Sequence, residues 1–88
     1  MNEFKTRDLG LAGYLRTEGM ILNKSTLEGG IVFFFFEDKM LCEKMEVDYK
    51  FQGAKVEAKR YNDTLKTLKA EINKLKTGER NAKPIAYK

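Results

Sequence analysis

Ile31-Val32-Phe33-Phe34-Phe35-Phe36, preceded by Gly29-Gly30 and followed by Glu37-Asp38, is the stretch on which the fold turns. Six consecutive β-branched or aromatic residues between turn and polar residues read as a central strand. Side chains alternate across a strand, so Ile31, Phe33 and Phe35 face one way and Val32, Phe34 and Phe36 the other. Both faces call for cover, and the rest of the chain is expected to supply it.

Upstream, Met20-Ile21-Leu22 begins an apolar run too short for a helix, followed by Asn23-Lys24-Ser25-Thr26 and then by Glu28-Gly29-Gly30, a hairpin signal. Before it, Asp8 stands as an N-cap to a helix over about 9–18, closed by Gly19. Gly10 and Gly13 inside that helix each cost about 1 kcal/mol relative to Ala, so another element is expected to pack closely there. Phe4-Lys5-Thr6 suits a short strand.

Downstream, Asp38 caps a helix over about 39–50, in which Leu41, Met45 and Tyr49 recur every four residues beside Cys42. Gly53 closes it, and residues 54–58 form a connector or short edge strand. Tyr61, Leu65, Leu68, Ile72 and Leu75 are then spaced 4, 3, 4 and 3, the stripe of an amphipathic helix ending at Gly78. The expectation is an α+β fold: a small, mainly antiparallel sheet of about three strands covered by helices, in the order β-α-β-β-α-α. One domain over residues 1–78 precedes a basic C-terminal tail, 79–88.

The 88 residues include no His, no Trp and a single Cys, and carry a net charge of +4. Without histidine there is no Ser-His or Cys-His nucleophile pair and no imidazole acid or base. One cysteine allows neither an internal disulfide nor a thiolate zinc site. The charge is uneven: residues 1–58 hold 8 basic and 10 acidic groups, a balance of −2, and residues 59–88 hold 9 and 3, a balance of +6. No segment approaches the ~18 apolar residues that span a bilayer, and Met1 to Asp8 lack the apolar region of a signal peptide. A cytoplasmic protein without membrane contact is expected.

Phe4-x-Thr6-x-Asp8-Leu9-x-Leu11-Ala12-x-Tyr14-Leu15, then Gly19, Gly30 with Phe33-x-Phe35-x-Glu37-Asp38, Tyr49, Val56-x-Ala58 and Tyr61 form a wider pattern. On these residues the chain resembles a small uncharacterised family of phage and prophage proteins, known only as a domain of unknown function. The resemblance implies a gene of a bacteriophage or integrated element expressed in a bacterial cytoplasm. It brings no reaction, cofactor or catalytic residue with it.

One enzymatic foothold exists. Glu37-x-Lys39 at a strand end, with Asp8 or Asp38 as a second carboxylate, has the spacing of metal-dependent nucleases, where two carboxylates hold Mg²⁺ and a lysine supports the attacking water. A polar strand end followed by a helix cap explains the same residues more simply. With no histidine to act as its base, Ser25 is not assigned as a nucleophile, and Cys42 reads as an inert buried thiol. No catalytic residue, metal site or cofactor is assigned.

Binding is the remaining class. The leading expectation is a non-enzymatic phage or prophage accessory protein that binds a host protein, such as a component of defence, transcription or replication, with Phe34, Phe36, Tyr61 and Leu65 as interface candidates. A homodimer would complete the same core from a second chain. The alternative is a weakly sequence-specific DNA- or RNA-binding protein using Lys59, Arg60, Lys66, Lys69, Lys74, Lys76, Arg80 and Lys83 on the last helix and tail. The strand after Gly30 resembles the aromatic strand of RNA-recognition folds, but Ile31 and Val32 stand where that motif wants an aromatic and a small residue, so no such motif is assigned.

Overall fold

The computed structural model of the chain describes residues 2–51, 56–77 and 85–86. The elements run β1 (Glu3–Thr6), α1 (Leu9–Thr17), β2 (Leu22–Glu28), β3 (Ile31–Glu37), α2 (Lys39–Phe51), α3 (Ala58–Thr77) and a two-residue β4 (Ile85–Ala86). The α+β class and the order β-α-β-β-α-α are as expected, and β4 adds an edge strand within the segment read as a tail. The strands form one antiparallel sheet in the order β1-β3-β2-β4.

Local chemistry sets the boundaries. Asp8 Oδ1 accepts from the Leu11 N–H at 3.1 Å and Asp38 Oδ1 from the Leu41 N–H at 3.2 Å, so each aspartate caps the helix that follows it. Glu57 does the same for α3, its Oε2 accepting from the Arg60 N–H at 3.0 Å. Gly29 and Gly30, at φ 57° and 81°, make the tight turn joining β2 to β3, where positive φ at both central residues matches the twist of the two strands. The polar residues Asn23–Thr26 lie inside β2 because strand pairing satisfies their backbone.

Register divides the sheet into unlike faces. Phe4 pairs with Phe36 and Thr6 with Phe34 across β1 and β3, while Ser25 pairs with Phe34 and Leu27 with Val32 across β2 and β3. A shift between Leu22 and Lys24 lets Leu22 oppose Phe36 while Lys24 opposes Phe35. That irregularity turns Leu22 toward the helices and Lys24 away from them, although they lie two residues apart.

All three helices lie over the face that carries Phe4, Leu22, Val32, Phe34 and Phe36. The core joins these residues to Leu11, Ala12, Tyr14, Leu15, Cys42, Leu68 and Leu75. α1 lies between α2 and α3, so Leu11 through Leu15 are buried without a break. α3 packs chiefly on α1 and reaches the sheet at β2. Leu41, expected on the inner face of α2, is 41% exposed; Cys42, Met45 and Tyr49 form that face. Gly53 and residues 54–55 of the expected connector lie outside the described residues.

Candidate functional site

No described helix lies over the second face of β3, whose Phe33 and Phe35 are half-buried. It carries Ile31, Phe33 and Phe35 in the centre, Glu3 and Lys5 from β1, and Lys24, Thr26 and Glu28 from β2. Lys5 Nζ stands 4.3 Å from the centre of the Phe33 ring and 5.5 Å from that of Phe35, and Lys24 Nζ lies 4.8 Å from Phe35. Each ring thus has an ammonium group above it, a favourable contact of roughly 0.5–1 kcal/mol at an exposed site. Lys5 also pairs with Glu28 at 3.2 Å, and Thr26 Oγ1 donates to the other Glu28 oxygen at 2.7 Å. The Thr26 hydrogen bond first, and Lys5 second, hold the Glu28 carboxyl below its ordinary range.

A second surface belongs to α2. Met40, Val47 and Phe51, spaced by seven and four residues, share one side of the helix and are 76%, 48% and 80% exposed. Leu41 lies beside them, and Cys42 alone of this helix is fully buried. Isolated exposed apolar residues need no explanation, but a row at helical spacing is the pattern that docks into a partner's groove.

A third surface is the outer side of α3. Lys59, Lys66, Lys69, Lys74 and Lys76 are all exposed, and none makes an ion pair among the described residues. Arg60 differs: its Nη2 donates to the Thr17 carbonyl at 2.9 Å, tying the start of α3 to the end of α1. Arg80 and Lys83 lie outside the described residues.

Of the four interface candidates, Phe34 and Phe36 expose 1% and 0% of their surface and belong to the core, because the register turns them under the helices. Tyr61 and Leu65 are half-buried against α1, where Leu65 fills the space beside Gly13. The residues that do reach the surface, Phe33, Phe35, Lys5 and Lys24, went unassigned. Alternation separates Phe33 from Phe34, but only strand pairing shows which face stays open. The α2 row was legible as i, i+7, i+11 spacing.

The second carboxylates of the nuclease alternative both have structural roles. Asp8 and Asp38 both serve as caps, and Glu37, Asp38, Glu3, Asn2 and Asn23 merely line a shallow cleft. Among the described residues no three acidic or cysteine side chains gather closely enough to hold a metal ion. Cys42 Sγ donates to the Glu37 carbonyl at 3.3 Å, and burial pushes its thiol up to about 11. It is therefore protonated, and a poor nucleophile, near neutral pH. Ser25 is fully buried in β2. Between the helices, Tyr14 stacks on Tyr49 at 5.5 Å, and Tyr61 donates to the Gly10 carbonyl at 3.1 Å. Burial and the neighbouring Tyr49 hydroxyl push Tyr61 up to about 12, and the cluster packs the three helices together. No helix among the described residues is long and apolar enough to cross a membrane.

Residues 1–74 match a family model described as Domain of unknown function (DUF5659). No curated protein and no solved structure matches the chain.

Proposed function

Since the chain belongs to that family, whose description names no activity, we propose from its surfaces that it is a non-enzymatic binding protein whose target is another protein. The observation that carries this reading is the exposed row Met40, Val47 and Phe51 on α2, a helix that buries only Cys42 completely. Apolar side chains at i, i+7 and i+11 suit a partner with a hydrophobic groove. The resemblance to phage and prophage proteins supports a narrower version: an accessory protein in a bacterial cytoplasm, acting on a host component of defence, transcription or replication.

The test is capture from nuclease-treated bacterial lysate with the wild-type chain and with a Met40→Glu, Val47→Glu double variant. A partner retained by the wild type, lost by the α2 variant and kept by Lys66→Glu, Lys69→Glu supports the reading. Capture that ignores the α2 charges overturns it.

A second reading, weakly sequence-specific DNA or RNA binding, is favoured by the exposed lysines of α3, which make no ion pair among the described residues. Lysine supplies phosphate attraction with little base discrimination. Salt-sensitive duplex binding that disappears in Lys66→Glu, Lys69→Glu would establish it.

A further inference from the structure

We propose that β1 and α2 together form the interface of a homodimer, in which two copies join their sheets edge to edge through β1. On the reading of Met40, Val47 and Phe51 as a protein-binding row, on which this rests, its occupant is the same row of a second copy. β1 is the outer strand of the sheet and pairs only with β3 among the described residues, so one side of its backbone is open to a further strand. α2 lies over this same edge, against β1 and β3. Its Tyr49 turns to α1, where it stacks on Tyr14 and reaches Gly10. At about 100° per residue, Met40, Val47 and Phe51 fall on roughly the opposite side of the helix from Tyr49, away from α1 and toward the open edge. The unpaired strand and the exposed row thus belong to one side of the molecule.

The residues of β1 select the register. Phe4 and Thr6 belong to the helix-covered face and Glu3 and Lys5 to the open one. Residues directly opposite in an antiparallel pair share a face, so a twofold axis sets Phe4 against Phe4, Thr6 or Asn2 of the second copy. The Thr6 register puts Lys5 against Lys5, and the Asn2 register puts Glu3 against Glu3. Only the first, with Phe4 on the axis, sets each Glu3 against the Lys5 of the other copy. Within its own chain Glu3 faces Glu37 across the sheet and accepts from the neutral Asn23 amide at 3.0 Å, so the second copy supplies the cation it lacks there. The Lys5 pair with Glu28 is half-exposed on both sides, so sharing Lys5 with a second carboxylate costs little. The spacing fits as well. A helix over β1 and β3 lies half a strand spacing inside the edge, so two related α2 helices stand about 10 Å apart once the β1 strands pair at about 4.8 Å. Packed helices stand about 8–10 Å apart, so the two apolar rows meet.

Sedimentation velocity of the purified chain reads the mass. The wild type is expected to run as a dimer that dissociates on dilution, and Met40→Glu, Val47→Glu as a monomer with unchanged circular dichroism. Glu3→Lys and Lys5→Glu each set like charges against one another at both pairs across the axis and should weaken self-association by about tenfold. Mixed in equal amounts, these two single variants regain opposite charges at both pairs and should form a heterodimer at least as tight as the wild-type dimer, a rescue that loss of folding would not produce. A wild-type monomer at every concentration overturns the proposal, as does a dimer that the α2 charges leave intact, or a mixture of the two β1 variants that stays monomeric. Lysate capture keeps the dimer and the α2 reading apart. A monomeric chain whose capture of another protein is abolished by Met40→Glu, Val47→Glu defeats the dimer and keeps the row as a protein-binding surface. Mass and capture that both ignore those charges defeat the two together.

Discussion

Leu65 of α3 lies so close to Gly13 of α1 that a β-carbon at position 13 would stand 2.7 Å from Leu65 Cδ2 and 3.2 Å from Tyr61 Cε1. Gly10 is constrained in the same way by the Tyr49 hydroxyl of α2. Two glycines that weaken α1 as an isolated helix are therefore what lets α2 and α3 approach it. On helix propensity Gly13→Ala would stabilise by about 1 kcal/mol. Overpacking costs about 1–3 kcal/mol, so the expected outcome is net destabilisation by about 1 kcal/mol in urea unfolding. Leu65→Ala in the same chain should relieve part of the Gly13→Ala penalty, which a double-mutant cycle reads directly.

Tyr61→Phe removes one hydroxyl, the donor to the Gly10 carbonyl, and keeps the ring that packs on α1. The expected loss is about 1 kcal/mol, measured by the shift of the urea midpoint at constant slope.

Alkaline pH should destabilise the fold. Burial raises Cys42 to about 11 and Tyr61 to about 12, above their ordinary values of 9.0 and 10.0. Between the ordinary and the raised value the unfolded state has released the proton and the folded state still holds it. Stability is then full below about pH 9 and declines as pH rises through 11 and 12. Thermal melts across this range should show the decline, and Cys42→Ala should remove the part that begins near pH 9.

Neighbouring phenylalanines should differ sharply. Phe34→Ala empties a site that is 1% exposed and should cost about 3–5 kcal/mol, enough to unfold much of a domain this small. Phe35→Ala, on the open face, should cost about 1 kcal/mol and leave a cooperative transition. Circular dichroism melts of the two variants side by side give the comparison.

Asp8 and Asp38 were legible as caps because capping is a contact within three residues, and the stripe from Tyr61 to Leu75 was legible because a helix repeats its own period. The hairpin turn at Gly29-Gly30 is equally local. The candidate site was less accessible. Phe34 and Phe36 were expected at an interface, although their burial removes them from any surface, while Lys5 and Lys24 gave no signal until pairing placed them beside Phe33 and Phe35.

By itself the sequence determined the number, order and type of the main elements, the alternation of β3 and the concentration of positive charge after residue 58, all of which depend on neighbouring residues and short periods. The tertiary structure alone decided which side of β3 stays open, the turn of Lys24 away from the helices at the shift after Leu22, the pairing of Ile85 and Ala86 with β2, and the need for Gly10 and Gly13. Each of these is set by contacts between residues far apart in the chain. β1 meets β3 some thirty positions away, and a one-residue change of register there would exchange the buried and open faces of the sheet.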